Sequence, residues 1–273
     1  MHLANYKPTG EYFAIKSIKL YDKNTRAQFK NDLKVLSSNQ CQNIVTFYGA
    51  FFTEGNVKIL LEYMNLGSLD KVLKNIKIKK LSPPCIPETI LSKITKQILL
   101  GLSYLHKEKH QIHRDIKLAN ILINSDGIVK LTDFGISRIL ETSQNYAHTF
   151  IGSRIYMSPE RIKGNNYSYP SDIWSLGLVI YELATGKEPY GEGNDFLTQI
   201  AKIVEEPEPR LDPNIFSKEF CDFIEKTVKK EEEKRANVDE LLKHPWIVGY
   251  EDDTESVAKW LASLFEYNYS KLP

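Results

Sequence analysis

The hydrophobic periodicity of this chain is mainly about two in its first third and mainly about 3.6 from Glu88 onward, so a sheet-rich part precedes a mainly helical part. Residues 11–19 read as a strand after a Lys7-Pro8-Thr9-Gly10 turn, and residues 45–52 and 57–63 read as strands flanking a turn at 53–56. Between them, residues 26–37 place Phe29, Leu33 and Leu36 on one side of a helix. From Glu88 onward the pattern is helical. Ile90, Leu91, Ile94, Ile98, Leu102 and Leu105 make a buried stripe on a long helix that Pro87 can start. Two short strands, 121–124 and 128–132, surround a Ser125-Asp126-Gly127 turn, and helices are expected at 171–185, 196–205, 218–229 and 238–243. The two parts would meet near residues 65–68, and a cleft between lobes is where a ligand is expected.

Composition removes several alternatives. Lys and Arg number 36 against 35 Asp and Glu in 273 residues, a net charge of +1, which offers no strong field to nucleic acid or an anionic membrane. No run of about 18 apolar residues occurs, so no membrane insertion is expected. Residues 1–7 lack the basic-then-apolar layout of a secretory leader, and the expectation is an intracellular domain. Cys41, Cys85 and Cys221 are odd in number and far apart, which argues against a disulfide framework or a zinc site. The Asn-Tyr-Ser matches at Asn166 and Asn268 are read as chance without an export signal.

The most informative run is Ile112-His113-Arg114-Asp115-Ile116-Lys117-Leu118-Ala119-Asn120. Asp133-Phe134-Gly135 follows thirteen residues beyond Asn120, just after a strand. Ala14-Ile15-Lys16 lies upstream on a strand, and Ser158-Pro159-Glu160 lies downstream. In order, spacing and local context this set resembles the protein kinase family over residues 1 to about 246. The fold implied is α+β and two-lobed: an incomplete sheet lobe over 1–64, a helical lobe over 65–247, and a helical extension over 248–273.

The resemblance implies ATP and Mg²⁺ as cofactors. Asp133 and Asn120 supply hard oxygens suited to the metal, and Asp115 would accept the proton of the acceptor hydroxyl, with Lys117 facing the γ-phosphate. Lys16 would hold the α- and β-phosphates and be held in turn by Asp32, where most kinases have Glu. Taken alone, Lys16 would be read as a strand lysine laying its stem on apolar surface. The adenine would lie between Ala14 and Leu122, against the backbone of Glu62 and Met64, with Leu61 as gatekeeper.

Lys117 and residues 152–160 resemble the serine/threonine side of the family, and with the Phe47-Tyr48-Gly49-Ala50-Phe51 run, residues 64–70, residues 167–174 and Phe134-Gly135-Ile136-Ser137 the likeness sharpens to MAP kinase kinases. The implied partners are a MAP kinase, phosphorylated on Thr and Tyr, and an upstream MAP kinase kinase kinase. Ser143 and Thr149, separated by five residues in the loop after Asp133, match the subfamily's activating sites, with Thr142 an alternative for the first. Phosphate there would pair with Arg114. Glu160 is expected to pair with Arg235, and Asp172 to cap the catalytic loop. The apolar face of residues 251–267 is expected to pack on the large lobe, with docking of an upstream kinase as the alternative. The family's glycine-rich loop and first strand find no match upstream of Lys16. That leaves open another serine/threonine kinase of the group, or a kinase-fold binding module. A cytoplasmic location is expected, with the nucleus open as a second.

Overall fold

The computed structural model describes residues 1–19, 40–53, 56–133, 156–191 and 196–266. The expected helix at 26–37 with Asp32, and the sites Thr142, Ser143 and Thr149, lie outside the described residues.

Strands β1 (His2–Tyr6), β2 (Glu11–Lys19), β3 (Phe47–Thr53) and β4 (Asn56–Glu62) form an antiparallel sheet in the order β1-β2-β4-β3. Alternation decides which face is inside. Val57, Ile59 and Leu61 of β4 are buried, and their cross-strand neighbours on β2 are Ile18, Lys16 and Ala14. Lys16 is therefore delivered to the same face as the sheet's apolar side chains.

The rest of the chain is mainly helical, as the second periodicity implies. α1 (Leu69–Ile78) and α2 (Glu88–Ser103) come first, and α2 passes into a π-helical turn (Tyr104–Glu108). A 3₁₀ turn (Leu118–Asn120) leads to β6 (Ile121–Ile123) and β7 (Val129–Leu131), which form a second sheet with β5 (Gly67–Ser68). Then follow α3 (Pro159–Ile162), α4 (Tyr169–Thr185), α5 (Phe196–Glu205), α6 (Lys218–Thr227), α7 (Val238–Leu242), α8 (Pro245–Val248) and α9 (Glu255–Phe265). The stripe read on α2 is buried throughout, from Ile90 to Leu105. α4 is buried nearly all round, including Trp174, Leu176, Leu178 and Leu183, which makes it the central helix of this lobe. None of the described helices is long and apolar enough to cross a membrane.

Strand boundaries differ from the sequence reading by one or two residues. β3 begins at Phe47 and not at residue 45, because the Val45 N–H is donated to the Leu131 carbonyl at 2.9 Å, on the second sheet. The Leu131 N–H returns to the Asn43 carbonyl at 2.9 Å, so residues 43–45 stitch the two sheets together. β4 stops at Glu62, one residue short of the reading, where the Glu62 N–H turns to the Thr46 carbonyl. The apolar face of α9 packs on the helical lobe as expected, with Val257, Leu261 and Leu264 buried. Lys93 and Lys96 of α2 pair with Asp253 and Asp252 just before it.

Candidate active site

The loop between the π-helical turn and β6 carries Asp115, Lys117 and Asn120, and one buried carboxylate holds its backbone in place. Asp172, in the first turn of α4, accepts the His113 N–H at 2.8 Å and the Arg114 N–H at 2.9 Å. It also contacts His106 Nε2 at 2.8 Å. The capping role expected of Asp172 is met, with His106 as an unforeseen third partner. Arg114 holds φ at +73°, a left-handed conformation that a non-glycine residue keeps only where its surroundings enforce it.

His113, to which the sequence reading gave no role, is fully buried behind the loop. Its Nδ1 accepts the Asp115 N–H at 3.3 Å, so the proton sits on Nε2, which donates to the Thr132 carbonyl at 3.0 Å. Burial pushes the imidazole pKa down, against the opposing pull of Asp172 and Asp115, and the ring is neutral. It thus ties Asp115 to the residue that precedes Asp133.

Asp115 itself is fixed through Oδ2. Lys117 Nζ lies 2.8 Å from that oxygen, and Asn120 Nδ2 donates to it and to the Asp115 carbonyl, both at 2.8 Å. With its amide nitrogen so used, Asn120 has Oδ1 left for a ligand. Asp133, also left-handed at φ +67°, pairs with Lys16 at 2.6 Å across 117 residues of sequence. The acidic partner foreseen for Lys16 was Asp32, outside the described residues; Asp133 is the carboxylate it meets here. A carboxylate and an amide oxygen at the two ends of one hairpin form a hard donor set that fits Mg²⁺.

The residues expected around an adenine come from both sheets and from the segment that joins them. Ala14 and Leu61 are directly paired across β2 and β4 and are buried, as is Met64, while Leu122 is half-buried on β6. The Met64 carbonyl accepts the Gly67 N–H at 3.0 Å as the chain crosses to the second sheet. Behind the loop, Glu160 meets Arg235 through two bonds of 2.9 and 3.1 Å. Burial would raise the Glu160 pKa, but the guanidinium prevails and holds it below the usual range. Arg114 and Arg161 both lie over the Tyr167 ring, at 5.1 and 3.6 Å from its centre.

A sheet lobe, a helical lobe, and a cleft edge bearing lysine, aspartate and asparagine define a phosphotransferase of the protein kinase class. A family model for the protein kinase domain matches residues 2–247, and the chain belongs to the protein kinase family. Within it the similarity is to MAP kinase kinases. Mitogen-activated protein kinase kinase SIPKK of Nicotiana tabacum is 44% identical over 259 residues, covering 92% of this chain and 71% of that protein. Mitogen-activated protein kinase kinase 2 of Arabidopsis thaliana is 43% identical over 258 residues, covering 92% and 69%. The dual specificity mitogen-activated protein kinase kinase dSOR1 of Drosophila melanogaster is 40% identical over 266 residues, covering 88% and 65%. As a protein kinase, the chain is of a family that uses Mg·ATP.

Proposed function

We propose that this kinase acts as a MAP kinase kinase, moving the γ-phosphoryl group of Mg·ATP to Thr and Tyr in the activation loop of a MAP kinase. The observation that carries the reading is the fixed Asp115: with Oδ2 engaged by Lys117 and Asn120, Oδ1 is the oxygen left to accept a substrate hydroxyl proton. Lys117, 2.8 Å from that carboxylate, is placed to follow the γ-phosphate during transfer. Asn120 Oδ1 and Asp133 would hold the metal, which when bound neutralises charge on the phosphate oxygens. Lys16 and Asp133 neutralise each other now, and each exchanges the other for a ligand of the same sign, phosphate for Lys16 and cation for Asp133. Ala14 and Leu122 would enclose the adenine, with Leu61 limiting its depth and the backbone of Glu62 and Met64 reading its edge.

Asp32 as a partner of Lys16, and Ser143 and Thr149 (or Thr142) as sites for an upstream MAP kinase kinase kinase, rest on the resemblance of the sequence. So does a cytoplasmic location. Similarity to a relative named for dual specificity supports transfer to both Thr and Tyr. The test is transfer of labelled phosphate to catalytically dead MAP kinases. Asp115→Asn is expected to lower the rate by about 100-fold or more with little change in ATP affinity, in keeping with a group that acts on the transferring proton. Transfer at the parental rate by a folded Asp115→Asn protein would remove Asp115 from the mechanism.

A further inference from the structure

Between the strand that ends at Glu62 and the short β5, residues 62–66 form the hinge joining the two lobes, and it is held from behind at both ends. At the first end, Glu62 Oε2 accepts from Lys130 Nζ at 2.8 Å, from Thr46 Oγ1 at 2.9 Å and from the Thr46 N–H at 3.0 Å. The Glu62 N–H is donated back to the Thr46 carbonyl at 2.9 Å. Lys130 is buried on β7, and this carboxylate is an opposite charge set against it away from water. Burial would push the Glu62 pKa up, but Lys130 and Thr46 outweigh it and the net direction is down, so Glu62 stays charged. At the second end, Asn65 Nδ2 donates to Ser125 Oγ at 2.9 Å and Asn65 Oδ1 accepts the Ser125 N–H at 2.9 Å. Ser125 is buried in the β6–β7 turn.

Both holds therefore land on the same hairpin. That hairpin is preceded directly by Asn120 and followed two residues after Leu131 by Asp133. We propose that Glu62 and Asn65 are positioning residues that clamp the hinge to the β6–β7 hairpin, setting the adenine-reading backbone in register with the metal-binding oxygens at the hairpin's two ends. The inference rests on the reading above that the hinge backbone receives the adenine. Neither side chain touches the reacting atoms. Each acts by removing hinge motion that nucleotide binding would otherwise have to freeze, so its effect belongs in affinity and not in the chemical step.

The test uses the whole chain with Glu62→Ala, Asn65→Ala, their double variant, and Asn65→Asp. Asn65→Asp keeps an acceptor for the Ser125 N–H and can accept from Ser125 Oγ, so it is the conservative rescue. Each alanine variant is expected to raise the Kd for Mg·ATP, read by isothermal titration, by about fivefold, and in Asn65→Ala kcat stays within about twofold of the parent. The double variant is expected to fall short of the product of the two, because both act on one hinge. In nucleotide-free protein, amide exchange over residues 61–66 should rise in the alanine variants and return to the parental rate in Asn65→Asp. Unchanged Kd and unchanged exchange would overturn the clamp, as would a fall in kcat with Kd unaltered. Ala14→Leu, which crowds the wall assigned to the adenine, separates the two levels. If it raises Kd while the alanine variants do not, the clamp alone is wrong; if it leaves Kd unaltered, the hinge reading beneath it is wrong.

Discussion

Glu182 on α4 has only 4% of its surface exposed, and its Oε2 accepts the Tyr156 hydroxyl at 2.7 Å. Burial, with Glu188 and Asp70 adding to it against Lys77 and the tyrosine bond, raises its pKa from 4.5 to about 7. The native state therefore binds a proton that the unfolded chain has released between those values. Stability is full below the lower value and falls as pH rises through the upper one, and the difference corresponds to about 3 kcal/mol. Glutamine is permanently neutral and still offers an acceptor to Tyr156. Glu182→Gln is expected to raise the denaturation midpoint above that of the parent at about pH 8 and to match it near pH 5. Equal midpoints at both pH values would show that this carboxyl titrates normally. At this scale the sequence is uneven as a guide. Asp115, Asn120 and Asp133 stand out because a short motif places them near one another along the chain. Lys130 and Asn65 do not, since their partners lie 68 and 60 residues away and each is an ordinary polar residue until the hairpin folds against the hinge.

Among the elements, the β6–β7 turn and α9 fit together with no spare volume. Gly127 has φ +76°, and a Cβ there would lie 2.3 Å from the Thr254 carbonyl oxygen and 2.9 Å from the Ala258 nitrogen, both backbone atoms at the start of α9. Gln97 of α2 completes the junction by donating Nε2 to the Gly127 carbonyl at 3.0 Å and accepting the Val129 N–H at 2.8 Å. A methyl group at 127 must displace the helix and also bear the left-handed backbone, so Gly127→Ala is expected to cost about 3 kcal/mol. In a domain of this size that lowers the melting temperature by about 6 °C, measurable by calorimetry, and a change under about 1 °C would mean that α9 is free to move away. Helices were the most legible elements, because an apolar stripe fixes both type and face: α5 has the bounds that its pattern gives. α1 was missed although Leu69, Val72, Leu73 and Ile76 carry the same period, since the glycine and serine just before it draw the eye to a linker. The end of α2 in a π-helical turn was not readable, because nothing in Tyr104-Leu105-His106-Lys107-Glu108 departs from a helical composition. Strand ends failed where the backbone partner comes from another sheet, as at Val45.

The whole molecule joins its lobes by contacts that differ in kind. Residues 43–45 pair with β7 through backbone, Glu62 pairs with Lys130 behind the hinge, and Lys16 pairs with Asp133 in front of it. The first two are built into the fold, whereas the third uses side chains about one-fifth exposed and is open to exchange. A ligand that replaces the third contact with several of its own should stabilise both lobes together. At about 100 times Kd, a nucleotide bound only by the native state adds about 2.7 kcal/mol, which raises the melting temperature by about 5 °C or more in a chain of this length. Part of that rise should require Mg²⁺, because under the proposed metal role Asp133 would turn from Lys16 to the cation. Asp133→Asn removes the charge at nearly constant shape, and the loss of one partly exposed ion pair should move the nucleotide-free melting temperature by no more than about 2 °C. The expected pattern is a parental protein whose melting temperature rises more with Mg·ATP than with ATP and EDTA, and an Asp133→Asn protein in which the two are equal. A variant that kept the full Mg²⁺-dependent rise would take the metal away from Asp133, leaving its left-handed backbone and its bond to Lys16 as features of the fold alone.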